Sequence, residues 1–193
     1  MKRIVVQPHT DDAYLSLHSH MVRWLKEGDE VQIVTYWSGK RGFEATDYAK
    51  MLGATHQFVF TDEHHPDYVE APAGEGPPLH MKGHKIGDLN TITPGTEWYV
   101  PVGIQHQEHR TIAKLFRDSN VYSYLDTPYY AKTTRHREVN GLVAGMVMES
   151  FEAPSGRKYQ DKWWKLFKTQ SMFFHYNLEK IKGLPEIILR QYQ

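Results

Sequence analysis

Cysteine is absent from all 193 residues, which removes disulfides, thiolate metal ligands and thiol nucleophiles together. Any metal must therefore be held by histidine and carboxylate. Net charge is missing too, because 23 Lys and Arg balance 23 Asp and Glu. No global field draws the chain to nucleic acid or anionic lipid, so a nucleic-acid partner is disfavoured. Long apolar runs are also lacking. Met1-Lys2-Arg3 leads into only Ile4, Val5 and Val6 before Gln7 and Pro8, too short for a signal-peptide core or a membrane span. The expectation is a cytoplasmic protein without membrane association, a single domain over 1–193 with a full core.

What is present falls into an alternating order. Ile4–Val6 is a continuous β-branched run bounded by turn chemistry, the pattern of a short buried strand. From Asp12 to Lys26 the residues Leu15, Met21, Trp24 and Leu25 recur at helical spacing, with Gly28 as the stop. Asp11 and Asp12 then lie at that helix's N-terminus, where carboxylates suit the dipole. Strands follow at Val31–Tyr36 and Gln57–Phe60, with a helix at Phe43–Leu52 between them. This order predicts an α/β fold of Rossmann-like type, a mostly parallel sheet flanked by helices. Residues 62–97 are dense in Pro, Gly and His and predict a long flap over the site. Strand character returns at Trp98–Val102 and Val121–Leu125, around a helix at Gln105–Arg117. The aromatic C-terminal third (Trp163, Trp164, Phe167, Phe173, Phe174) reads as helices packing back on the sheet. Lys158, Lys162, Lys165 and Lys168 lie among those aromatics. Such a mix can grip single strands, but an amphipathic helix with its lysines in water accounts for it better.

Two clusters carry chemistry. Pro8-His9-Thr10-Asp11-Asp12 follows the first strand, and His106-Gln107-Glu108-His109 follows Trp98–Val102. In open α/β sheets ligands bind at the carboxyl ends of strands, where both clusters fall. His9 and Asp12 are three residues apart across a strand-to-helix turn, with Asp11 close enough to touch a metal-bound water. His106 and His109 share one helical face, whereas Glu108 points elsewhere. Taken singly, the first cluster fits helix capping as well as it fits a ligand set, and an H-x-x-H is more often a pair of surface histidines. Jointly they favour a hydrolytic metal site over coincidence. Zinc suits two histidines and a carboxylate, and Fe2+ nearly as well. His64-His65-Pro66-Asp67 imitates the first motif without a strand to deliver it. His80 and His84 sit among Pro77, Pro78 and Gly83, and both groups read as flap residues. His18, His20, His56, His136 and His175 read as ordinary polar or half-buried histidines.

These residues resemble the LmbE-like or PIG-L-type zinc-dependent N-deacetylases, whose members cleave N-acetyl groups from glucosaminyl compounds on a Rossmann-like fold. Pro8-His9-Thr10-Asp11-Asp12 fits the family's P-H-x-D-D form and His106–His109 its H-x-x-H form. Arg41, Glu44, Leu52 and Gly53 follow the intervening pattern, and Thr169-Gln170 looks like a later one. The resemblance implies His9, Asp12 and His109 as zinc ligands and Asp11 as general base. It makes His106 the partner of the oxyanion or leaving amine, and Arg41 a contact to substrate hydroxyls. The implied substrate is a small acylated amine, an N-acetyl amino sugar above all. A sugar nucleotide, thiol conjugate or modified nucleoside on the same site, or a silent binding module, are the alternatives. Departures exist. Ala13 replaces a common acidic residue, a helical glycine pair is absent, and Ile104 stands where a tyrosine is frequent. Tyr99 or a flap histidine is the expected substitute for that tyrosine. The chain is also short for the family, which implies a reduced or differently built substrate pocket.

Overall fold

The structure is a computed structural model, and it describes residues 1–37, 42–60, 95–117, 120–127, 129–152 and 184–191. Arg41, the flap residues up to 94, the basic-aromatic segment and Thr169-Gln170 lie outside the described residues. The elements are β1 (Lys2–Gln7), α1 (Asp12–Lys26), β2 (Glu30–Trp37), α2 (Gly42–Leu52), β3 (Thr55–Phe60) and β4 (Thr96–Pro101). They continue with α3 (Gln107–Leu115), β5 (Tyr122–Tyr124), two 3-10 turns (Tyr129–Ala131 and Thr133–Arg135), α4 (His136–Leu142), β6 (Met146–Glu152) and β7 (Glu186–Gln191).

One seven-stranded sheet runs in the order β3-β2-β1-β4-β5-β7-β6. Strands β1 to β5 pair in parallel, and β7 is antiparallel to both β5 and β6. The α/β fold with a mostly parallel sheet is thus as expected. The C-terminal region departs from expectation, since β6 and β7 extend the sheet where only helices were anticipated. Pro185-Glu186-Ile187-Ile188-Leu189 is a short β-branched run, and its pairing with distant β5 overrides the helical texture around it. The segment 129–142, for which the sequence names no particular element, forms the two 3-10 turns and α4.

Register positions the site. Val5 pairs with Ile33 on one side and Tyr99 on the other, so β1 is central and both of its faces are buried. That demands the unbroken Ile4-Val5-Val6 run. The chain leaves β3 and crosses to the far side of β1 to make β4, so the winding reverses between β1 and β4. Ligands of doubly wound sheets bind beyond the carboxyl ends of strands at such a reversal.

Helix α1 covers one face, burying Leu17, Met21 and Trp24 with Val5, Ile33 and Tyr99. Each such side chain contributes roughly 1.5–3 kcal/mol by leaving water. Its end is fixed by Gly28 at φ 88°. The Gly28 N–H donates to Leu25 O at 3.2 Å and the Asp29 N–H to Trp24 O at 2.9 Å. Glycine meets that left-handed turn without a Cβ penalty. The other face buries Val6, Val34, Trp98, Val100, Ile112 and Phe116, which seats α3. Among the described residues, no helix is long and apolar enough to cross a membrane.

Candidate metal centre

The turn after β1 is shaped by Gln7, a fully buried side chain. Its Oε1 accepts the Ala13 N–H at 2.8 Å, and its Nε2 donates to Thr35 Oγ1 at 2.7 Å. One amide therefore ties the first turn of α1 to β2 and leaves the donor Ala13 N–H satisfied. Asp12 Oδ2 reaches back to accept the His9 N–H at 2.8 Å. His9 and Asp12 are thereby locked together across the strand-to-helix turn.

The second arm is a tight turn after β4. Gly103 sits at φ 96°, and a Cβ there would meet Arg110 Cα and Ala113 Cβ at 3.1 Å. Only glycine lets the turn approach α3 so closely. His106 is the N-cap of α3 and His109 lies in its first turn.

The two arms converge. His9 Nδ1 lies 3.3 Å from His109 Nε2, and each of these nitrogens lies 3.4 Å from Asp12 Oδ2. The three donor atoms make a nearly equilateral triangle. Ligand bonds of about 2.0–2.1 Å in a tetrahedron put neighbouring donors about 3.3–3.4 Å apart. The residues present therefore fit a divalent ion of zinc's size. His9, Asp12 and His109 form the grouping able to hold a metal among the described residues. Residues 9 and 109, a hundred positions apart in sequence, are within joint coordination reach.

Asp126 was not singled out from the sequence, yet it is central. Its Oδ1 lies 2.5 Å from His109 Nδ1, and its Oδ2 accepts the N–H groups of Gly103 and Ile104 at 2.9 and 3.0 Å. A carboxylate on Nδ1 keeps the proton there and turns the Nε2 lone pair toward the triangle. The signal was available: Asp126 directly follows the strand Val121–Leu125, as His9 follows β1.

Electrostatics agree with a cation site. His109 is fully buried, which by itself would lower its pKa. Asp12 and Asp126 outweigh that and raise it to about 9. Burial would likewise raise Asp12, but His109 and His9 hold it down at about 2. Carboxylates that retain a proton on a buried imidazole supply the negative potential a metal ion would use instead. His106 is pushed down to about 4, first by burial and then by the neighbouring His109 and His9.

Asp11 is 1 % exposed and is the N-cap of α1, between His9 and Asp12 in sequence. The His106 ring is 5.9 Å from that of His9 and 5.5 Å from that of His109. It rests edge-on against buried Tyr129 at 4.9 Å. Tyr129, a second residue missed in the sequence, also packs with Ile104 in one apolar cluster. Tyr99 cannot take the expected role, because its hydroxyl is bound to Arg3 and Glu97 near the starts of β1 and β4. His18 and His20, read as ordinary polar or half-buried histidines, are buried in α1. His18 Nδ1 contacts the Tyr48 hydroxyl, and His20 Nε2 the Glu186 carbonyl. His56 is half-buried and His136 exposed. His64, His65, His80, His84 and His175 lie outside the described residues.

No family model matches the chain, and no curated protein matches it in sequence. Solved structures do match in fold. The zinc-inhibited form of teicoplanin deacetylase Orf2 is 17 % identical, with a TM-score of 0.64 over 100 % of this chain and 99 % of that one. The A40926 pseudoaglycone deacetylase Dbv21 is 17 % identical, with a TM-score of 0.60 over 97 % and 96 %. GalB, the 4-carboxy-2-hydroxymuconate hydratase of Pseudomonas putida, is 12 % identical, with a TM-score of 0.58 over 100 % and 97 %. These likenesses establish that the chain has the α/β fold that these deacetylases and this hydratase share. Since one fold serves both reactions, chemistry has to be argued from the site.

Proposed function

We propose that this chain is a metal-dependent hydrolase that removes an N-acetyl group from a small amino-sugar-type substrate in the cytoplasm, as one domain over 1–193. The observation that carries the reading is the donor triangle of His9, Asp12 and His109, with edges of 3.3–3.4 Å; the buried Asp11 is the sequence neighbour of Asp12 at the head of the same helix. Two proteins that share the fold are deacetylases, of teicoplanin and of the A40926 pseudoaglycone, which favours removal of an acyl group among the reactions such a site could serve.

A divalent ion on those three residues, zinc by preference, would supply Lewis-acid polarisation of the acyl carbonyl and of an attacking water. The remaining work falls to the chain itself. Asp11, anchored at the head of α1, takes the proton from water and orients it toward the carbonyl carbon. His106 stands on the opposite arm and donates an N–H toward the oxygen on which charge develops. Collapse of the tetrahedral intermediate expels an amine, and Asp11 returns the proton it received. Asp126 keeps His109 in the tautomer that presents Nε2. Arg41 remains part of the proposal as a contact to substrate hydroxyls.

The test is metal analysis of the purified protein, followed by acetate release from N-acetylglucosamine, diacetylchitobiose and an N-acetylated sugar nucleotide. Asp11→Asn should keep its metal and lose turnover on the order of 10²–10⁴-fold. Near-normal turnover in Asp11→Asn would remove the base. Bound metal with no acetate released from any of these compounds would replace hydrolysis with binding.

A further inference from the structure

Gln105 is the one non-glycine residue with positive φ, 68°, among those described. The His106 N–H donates to Ile104 O at 2.8 Å, straight across it. A two-residue hydrogen bond around a positive φ makes a γ-turn of the strained hand, which is rare in proteins. Strain of this kind persists only where surrounding structure holds it, and it gathers at functional sites. Here it lies immediately before His106.

What holds it is a carboxylate outside the metal centre. Glu138 Oε1 accepts the Gln105 N–H at 3.1 Å and Arg110 Nη2 at 2.6 Å, while its Oε2 accepts Arg135 Nη1 at 3.1 Å. The Gln105 side chain is held as well, its Oε1 accepting from Lys132 Nζ at 3.1 Å. Asp126 secures the preceding Gly103 and Ile104. The turn is thus suspended between Asp126 at its start and Glu138 at its end. The carboxyl of Glu138 is held below the usual range because its bonds to Arg110, Gln105 and Arg135 outweigh partial burial.

We propose that Glu138 is a positioning residue for His106, acting through the strained turn at Gln105. Released from Glu138, Gln105 would relax toward negative φ and rotate the N-cap of α3, carrying the His106 ring away from those of Tyr129, His9 and His109. His9 and His109 would stay, since Asp12 holds the first and Asp126 the second, independently of Glu138. The catalytic arm of the proposal rests on the hydrolase reading above; the geometric arm does not.

The experiment uses zinc-loaded protein with 15N-labelled histidine, its ring signals followed by long-range proton–nitrogen correlation and assigned with His106→Gln. Glu138→Ala should move or broaden the His106 signal and leave those of His9 and His109 in place. Glycine adopts positive φ freely, so adding Gln105→Gly to Glu138→Ala should return the His106 signal toward its parental position. With N-acetylglucosamine as probe, kcat should fall on the order of 10–100-fold in the single variant and recover in the double, at constant zinc content. If Glu138→Ala fails to fold by circular dichroism, Glu138→Leu, which keeps the bulk of the side chain but has no acceptor for the Gln105 N–H, takes its place. An unmoved His106 signal overturns the proposal. So does a moved signal that Gln105→Gly does not restore, because Glu138 would then be merely structural. A parent protein that releases no acetate counts against the hydrolase reading alone, and the ring signals still decide the role of Glu138.

Discussion

The two ends of β1 and β4 each carry a polar cluster, and the clusters are built on opposite logic. Near the strand starts, Arg3 donates to Asp29 Oδ2 at 2.6 Å, to the Tyr99 hydroxyl at 2.6 Å, and to Glu97. Its guanidinium also lies over the Trp24 ring at 4.8 Å. Every charge there faces its opposite. At the strand ends, two imidazole nitrogens and a carboxylate oxygen face one another across 3.3–3.4 Å. One cluster is complete in itself, while the other has the form of a socket. Mutual neutralisation marks structure, and convergent lone pairs mark a site for a cation.

The comparison breaks most visibly at Asp126. In Asp126→Asn the His109 tautomer loses its carboxylate, and metal affinity should fall roughly 10–100-fold. Competition titration against a chelating dye measures it. Unchanged affinity would mean that Asp126 only braces the turn at Gly103, and the contrast between the two ends would lose its strongest support.

Glu97→Gln strikes the opposite end. It removes one charge from a network already neutralised by Asp29, in surroundings that are only half-buried. The cost should be about 1–2 kcal/mol of stability, or roughly 2–4 °C in Tm per kcal/mol for a chain of this size. Metal affinity should stay at the parental value. A loss of affinity comparable to that of Asp126→Asn would show the two ends to be coupled through the strands.

Much of this contrast is legible in the amino-acid order, for a physical reason. Buried parallel strands must be continuous β-branched runs, so Ile4–Val6 announces its own end, and His9 is therefore placed. The H-x-x-H pair after Trp98–Val102 is placed the same way. Asp126 was equally accessible but lacks a companion motif, so nothing in the local pattern separates it from a turn aspartate. Tyr129, Gln105 and Glu138 are a different case. Their roles arise from contacts between residues distant in sequence, Tyr129 with His106 and Gln105 with Glu138 across 33 positions, which no local periodicity encodes. Strands β6 and β7 were obscured likewise, because an antiparallel edge pair depends on its partner more than on its own propensity.

The smallest expected effect joins the socket to the rest of the sheet through His56. Its Nε2 lies 2.8 Å from Thr35 Oγ1 and its Nδ1 3.1 Å from Thr46 Oγ1. Since Thr35 Oγ1 also accepts from Gln7, its own proton is free to go to His56 Nε2, and neutral His56 then donates through Nδ1 to Thr46. Protonating Nε2 would set two donors against one hydroxyl at the end of the thread that fixes Ala13 in the first turn of α1. Burial already pushes His56 down to about 4. The unfolded chain binds this proton near pH 6.5 and the folded chain only near 4, so between them the unfolded state holds more protons. Stability from this residue is therefore complete above about pH 6.5 and is lost as the pH falls toward about 4. His56→Gln can make both hydrogen bonds without titrating, and it should flatten the Tm profile across that window. Because His56 is partly exposed and screened, the difference should stay within about 2–4 °C. A profile as steep as the parent's would assign the acid sensitivity to the buried His20 or to the metal centre itself, and would separate the thread from the socket it supports.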